Sequence, residues 1–234
     1  MTDGILNLDK PPAISSARAV ALVKRLLPRG VKIGHAGTLD PFATGVLLLL
    51  IGRATKKCEA LMDQRKQYDA IVKFGATTAT DDPESSQSPW PDQSVDSTSL
   101  RPESIDEVLS KFTGPILQTP PVFSALKING RRAYKLARSG KTPAIMPRPV
   151  MIYSIVRTHY VWPLLKLRVD CGRGTYIRAL ARDIGAALNV GGHLSELRRT
   201  RIGPFHVESA AKLESLTENN LAERIVPLGE VEKE

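Results

Sequence analysis

Twelve consecutive residues, Gly34-His35-Ala36-Gly37-Thr38-Leu39-Asp40-Pro41-Phe42-Ala43-Thr44-Gly45, bring together three glycines, one imidazole and one carboxylate. Glycine at this density marks backbone that turns tightly or is closely approached by another group. Pro41 pushes Asp40 away from helical dihedrals toward extended ones. A lone carboxylate on such a loop, just ahead of the apolar run Val46 to Ile51, is placed to act as a nucleophile or a base. The same Asp-Pro pair is equally suited to an Asx-turn, with the carboxylate bonded to its own backbone.

A second group of candidates lies in Asp170-Cys171-Gly172-Arg173-Gly174-Thr175-Tyr176-Ile177-Arg178. Here a strand runs into a Gly-x-Gly turn and a helix begins. Arg178 falls in the helix's first turn, where it meets the positive end of the helix dipole. An arginine set against the dipole calls for an anionic partner, and Asp40 is one candidate. A third group is Arg65-Lys66-Gln67-Tyr68 at the entry to a strand. Tyr68 either packs in the core or offers its ring to a nucleobase, a common device in single-stranded RNA recognition. The chain has no Walker loop, no GxGxxG and no HExxH. His35, His159, His193 and His206 show no metal-ligand spacing. No metal or cofactor is expected.

The elements that must hold these groups follow from periodicity. Gly4 to Asp9 alternates as a strand. Ser15 and Ser16 are good caps for a helix running to about Leu27, before Pro28 and Gly30. Ala54 to Met62 reads as a helix and Gln67 to Phe74 as a strand. The segment from about 76 to 101 is polar and reads as a surface insertion. Ile105, Val108, Leu109 and Phe112 have the spacing of an amphipathic helix. Asn129-Gly130 signals a tight turn. Val150 to Tyr160 and Leu164 to Cys171 read as paired strands, Thr175 to Leu188 as a helix and Leu197 to Ile202 as a strand. Ser209 to Leu216 and Asn220 to Val226 read as short helices. Without regular βαβ alternation, this order predicts an α+β fold with a mixed, mainly antiparallel sheet and flanking helices.

The formal net charge is +9, which favours a polyanionic partner. The span from Lys127 to Arg148 holds seven basic residues and no acidic one. Such a run repels itself unless a polyanion neutralises it. Cys58 and Cys171 lie far apart and read as reduced core residues. The start of the chain lacks the order of a signal peptide, and Val46 to Ile51 is too short to span a bilayer. A cytoplasmic protein with no membrane association is expected.

Several blocks, taken in order, resemble the bacterial tRNA uridine-55 pseudouridine synthases of the TruB type. They are Gly4 to Pro11, Gly34 to Gly45, Gly52-Arg53-Ala54-Thr55-Lys56, Arg65 to Tyr68, Gln118 to Pro121 with Ser124 to Lys127, Gly174 to Arg178, and His193 to Arg199. The resemblance implies the pseudouridine synthase catalytic fold and an isomerisation that needs no cofactor. It makes Asp40 the essential catalyst on a uridine flipped out of the TΨC loop of tRNA. Whether the carboxylate adds to the sugar, adds to C6 or abstracts a 2′ proton is left open. It further implies that Arg178 pairs with Asp40, that Tyr68 stacks on the base and that Tyr176 assists at C5. His35 would help hold the rearranged RNA, and Lys56 and Leu197 would line the pocket. Lys127, Arg131 and Arg132 would meet RNA phosphates from a thumb-like segment of about 120–148.

On this reading residues 1–234 form one catalytic domain with a short helical tail at about 207–234. No C-terminal PUA domain and no obligatory protein partner are expected, and the protein is expected to be a monomer. Two alternatives share the scaffold: a guide-RNA-dependent pseudouridine synthase, and a non-catalytic protein that binds or folds tRNA. A carboxylate beside RNA phosphates would weaken simple binding, which favours the enzyme.

Overall fold

The computed structural model describes residues 3–91, 100–124, 126–128, 131–133 and 145–228. In chain order it runs β1 (Gly4–Lys10), α1 (Ser16–Lys24), β2 (Ile33–His35) and β3 (Thr44–Ile51). A 3-10 turn (Gly52–Lys57) leads into α2 (Cys58–Asp63), then β4 (Lys66–Phe74), β5 (Ala76–Thr78) and β6 (Gln87–Pro89). Next come α3 (Pro102–Lys111), β7 (Gly114–Gln118), β8 (Lys127–Ile128), β9 (Arg131–Arg132), β10 (Arg148–Val161) and β11 (Leu164–Cys171). The chain closes with α4 (Ile177–Ala187), β12 (Gly192–Ile202), β13 (Phe205–His206), β14 (Ala211–Lys212) and β15 (Ile225–Pro227). This is the expected α+β class. Strand pairing is mainly antiparallel, with parallel pairs at β1–β14 and β3–β12.

The chain divides into two compact units, Met1–Tyr68 with Leu197–Glu234, and Asp69–Glu196. In the first, β1 pairs antiparallel with β3 along its whole length. The run Val-Leu-Leu-Leu-Leu-Ile has no polar alternation because both faces of β3 are covered. Leu47, Leu49 and Ile51 pack with Leu6 and Leu8 under Ala19 and Val23 of α1. Val46, Leu48 and Leu50 pack with Ile5 on the other side, against Ala54, Leu61, Ile202 and Phe205. Each leucine so buried is worth about 1.5–3 kcal/mol. α1 ends at Lys24, and its cap is Ser15, whose Oγ accepts from the Arg18 amide at 3.1 Å.

The tail departs from the sequence reading. Val207–Ser209, Leu213–Ser215 and Leu221–Arg224 are 3-10 turns; β14 follows the first and β15 the last, and both strands pair with β1. Ala211, Leu216, Leu221 and Ile225 are buried in the α1-side core. Open edges of β1 and burial against its core outweigh the weak helical preference of this segment.

In the second unit β7, β10 and β11 form an antiparallel set, with β-bulges in β10. Ile105, Val108 and Leu109 of α3 are buried. The polar segment from 76 contains the β5–β6 hairpin, and residues 92–99 lie outside the described residues. β8 pairs antiparallel with β9, with Ile128 opposite Arg131. Asn129 and Gly130 themselves, and the side chains of Lys127, Arg131 and Arg132, lie outside the described residues.

Candidate active site

The loop carrying Asp40 joins β2 to β3 in the first unit, and its backbone is held at nearly every step by buried polar side chains. Ala36 donates its amide to the Leu48 carbonyl at 3.0 Å. Gly37 adopts φ +89°, a conformation that favours glycine. The Ser16 hydroxyl accepts from the Leu39 amide at 2.8 Å and donates to the Leu39 carbonyl at 2.9 Å. Asp40, Pro41, Phe42 and Ala43 then form a turn closed by the Ala43 amide on the Asp40 carbonyl at 3.2 Å. Asp before Pro at the start of a turn is a favoured order. The fully buried Lys10 ammonium donates to the carbonyls of Pro11, Ile14 and Pro41 at 2.7, 2.8 and 3.1 Å. Asp40 itself remains partly exposed.

Arg199 of β12 is the largest fully buried side chain among the described residues of this unit. Its Nε donates to the Val46 carbonyl at 2.7 Å and one terminal nitrogen to the Gly37 carbonyl at 3.2 Å. The other lies 3.5 Å from both the Thr38 carbonyl and the Tyr68 hydroxyl. Its guanidinium carbon sits 6.0 Å from the Tyr68 ring centroid, within cation–π range. The β12 backbone approaches equally closely. A methyl on Gly45, at φ +102°, would stand 2.1 Å from the Arg199 carbonyl oxygen. That contact explains the third glycine of the loop. Beside it, Arg198 forks onto Asp9 at 2.8 and 3.2 Å.

The other sequence candidates of this unit are placed as follows. His35 ends β2 opposite Leu49. Lys56 is exposed in the 3-10 turn after β3, Tyr68 is buried in β4, and Leu197 is buried in β12.

The second unit holds Tyr176 and Arg178. Tyr176 is the residue before α4 and has both backbone groups bonded by the buried Gln118 amide. Its N–H donates to Gln118 Oε1 at 2.8 Å, and its carbonyl accepts from Gln118 Nε2 at 3.1 Å. The Arg148 guanidinium lies 5.1 Å over the Tyr176 ring and donates to the Gly174 carbonyl at 2.7 Å. Arg178 is buried. It donates to the carbonyls of Thr80 and Phe123 at 2.8 and 3.0 Å, and pairs with the Asp82 carboxylate at 3.3 Å. Asp82 is buried too, and accepts from Thr80 Oγ1 and from the Glu84 amide. One anionic partner demanded by the helix dipole is therefore Asp82, in the segment to which the sequence assigns no role. The adjacent carboxylates Asp81-Asp82, in a stretch that has no basic residue before Arg101, were the available signal. Asp81 pairs with Arg182 at 2.9 Å, while burial pushes its carboxyl above the usual carboxylate range.

Nearby, His193 is buried with Nδ1 3.2 Å from the Ala76 carbonyl. Burial holds its pKa below the ordinary 6.5, opposed by that carbonyl; Lys73 lowers it further and Asp82 raises it. A depressed pKa means the unfolded chain takes up the proton first. The stabilising contribution is present above about pH 6.5 and is lost as pH falls below it through the folded value. Urea unfolding across this window should show stability falling with acidity, and His193→Gln should flatten the fall. An unchanged slope would place the titrating group elsewhere.

Among the described residues no three His, Cys, Asp or Glu side chains cluster as a metal site, and no helix is long and apolar enough to cross a membrane. What the first unit offers is one partly exposed carboxylate on a rigid loop near a tyrosine ring.

Comparison with known proteins matches residues 24–177 to the TruB family pseudouridylate synthase N-terminal domain, and residues 178–229 to the tRNA pseudouridylate synthase B C-terminal domain. The chain is 42% identical over 230 residues to tRNA pseudouridine synthase B of Francisella philomiragia, covering 98% of this chain and 75% of that protein. It is 44% identical over 216 residues to tRNA pseudouridine synthase B of Aromatoleum aromaticum, covering 92% and 68%. Among solved structures it resembles the crystal structure of a Cbf5-Nop10-Gar1 complex, with TM-score 0.69 and 34% identity over 92% of this chain. It also resembles an H/ACA RNP bound to a substrate RNA containing 2′-deoxyuridine, with TM-score 0.65 and 31% identity over 91% of this chain. The chain spans about half the length of those two solved chains, 54% and 52%.

Proposed function

Since this chain belongs to the TruB family of pseudouridylate synthases, enzymes that isomerise tRNA uridine to pseudouridine, we propose that it acts on uridine 55 in the TΨC loop with Asp40 as the catalyst. The observation that carries this reading is the Asp40 loop, whose backbone is fixed on both sides while the carboxylate stays partly exposed. A preorganised group loses no freedom on the way to the transition state.

The reaction breaks the bond from C1′ of the ribose to N1 and makes one from C1′ to C5; C5 gives up its proton and N1 takes one up, so the product is an isomer of the substrate. Reaching the base requires turning the nucleotide out of its stack, at a cost of a few kcal/mol. Phosphate contacts offset it. Tyr68 is assigned to stack on the base, His35 to hold the rearranged loop, and Lys56 and Leu197 to line the pocket. Tyr176 and Arg178 are assigned to the same reaction on the family resemblance. The protein acts alone, as a monomer, on tRNA in the cytoplasm.

Tritium at C5 of uracil reports the reaction directly. Unmodified tRNA transcript labelled there should release tritium with the purified protein and no added factor. A requirement for a guide RNA or a protein partner would overturn the stand-alone reading. Binding without release would favour a tRNA-binding or folding protein.

The basic segment supplies a separate prediction. Replacing Arg131 and Arg132 together by Gln should weaken tRNA binding and reduce the slope of log affinity against log salt by roughly one to two, since each lost phosphate contact removes about 0.7–0.9. An unchanged slope would put the RNA elsewhere.

A further inference from the structure

We infer that Ser16 is a positioning residue for Asp40, through the orientation of the peptide plane between Leu39 and Asp40. The inference rests on the catalytic reading of Asp40. Ser16 begins α1 and is buried. Its hydroxyl makes two bonds to one residue across the fold, accepting from the Leu39 amide and donating to the Leu39 carbonyl. That carbonyl belongs to the peptide unit that also contains the Asp40 nitrogen. Its orientation sets the rotation about the first backbone bond of Asp40, and hence the direction of the carboxylate.

The other holds do not duplicate this one. Arg199 bonds the carbonyl of Gly37 and approaches that of Thr38, both upstream. Lys10 reaches the carbonyl of Pro41, downstream. Only Ser16, among the described residues, bonds both backbone polar groups of Leu39. The Leu39 side chain is buried as well, so the amide and carbonyl have little water to replace the hydroxyl. Its removal leaves a donor and an acceptor free to swing toward new partners, carrying Asp40 with them.

The neighbouring Ser15 provides the contrast. Its hydroxyl caps α1 by accepting from the Arg18 amide, a bond within the helix start and not to the Asp40 loop. One serine therefore serves the helix and the next serves the loop.

The test uses the full chain and tritium release from labelled tRNA. Ser16→Ala should lower kcat about 100-fold, the scale of a misplacement of about 1 Å. KM and tRNA affinity should stay within about threefold, because the RNA-contacting surface is unchanged. Amide hydrogen exchange at Leu39 and Asp40 should become faster. Ser16→Thr, which keeps the hydroxyl, should recover most of the kcat. Ser15→Ala should lower the melting temperature and leave kcat unchanged. A folded Ser16→Ala protein with kcat within about threefold of the parent overturns the inference, as does Ser16→Thr falling as far as Ser16→Ala. If Ser16→Ala does not fold, Ser16→Cys decides: the weak thiol partner should cut kcat at unchanged KM, and parental kcat overturns the inference. A wild-type protein that releases no tritium overturns the catalytic reading of Asp40, and this inference with it.

Discussion

Asp40→Asn is expected to reduce tritium release from labelled tRNA by at least about 10³-fold while tRNA affinity stays within about threefold. Asparagine keeps the size and turn preference of aspartate, so the Asp40–Ala43 turn and the bonds to Leu39 and Pro41 persist. What is lost is the charge and the ability to attack or to take a proton. The melting temperature should change little, because the side chain is partly exposed. Two measurements therefore separate chemistry from folding. Normal turnover in Asp40→Asn would mean that another group is the catalyst.

The second large effect is on stability. Arg178→Ala is expected to cost about 3–5 kcal/mol in urea unfolding, because it leaves the Asp82 carboxylate buried without this cation. The carbonyls of Thr80 and Phe123 lose a donor at the same time. The reciprocal Asp82→Asn should cost less, since the amide oxygen still accepts from the Glu84 amide and Thr80. A double-mutant cycle between Arg178→Ala and Asp82→Asn should show strong coupling, as expected for groups in direct contact. A loss below about 1 kcal/mol in Arg178→Ala, the scale of an exposed pair, would show that water replaces the lost guanidinium.

Much of the first unit was legible in the sequence because its signals are local. Val46 to Ile51 is apolar on both faces, as a strand covered on both sides is, and a run of six is short for a helix. Asp40-Pro41 in a glycine-rich stretch announced a turn, and the turn is there. The rest required tertiary contact. Nothing near Leu39 says that Ser16 will bond it, and nothing near Gly37 says that Arg199 will. Arg178 advertised the need for an anion through its place in α4, but a dipole argument names a charge, not an address. Asp82 sits 96 positions earlier in the chain, in a segment without periodicity. The tail misled for the opposite reason. Its apolar residues suggested helices, yet the edge of β1 offered unpaired backbone groups that β14 and β15 took.

The first unit is assembled from two stretches far apart in sequence, Met1–Tyr68 and Leu197–Glu234. During synthesis from the N-terminus, β1, α1 and β3 leave the ribosome well before Arg199 does. Until then Gly37 lacks its guanidinium donor, Gly45 lacks the β12 backbone beside it, and the core under α1 lacks Leu216, Leu221 and Ile225. Closing contacts of such sequence separation is slow and comes late. The Asp40 loop is thus completed only by residues made long after it, so a nascent chain that has not yet reached β12 holds the carboxylate without the frame that aims it.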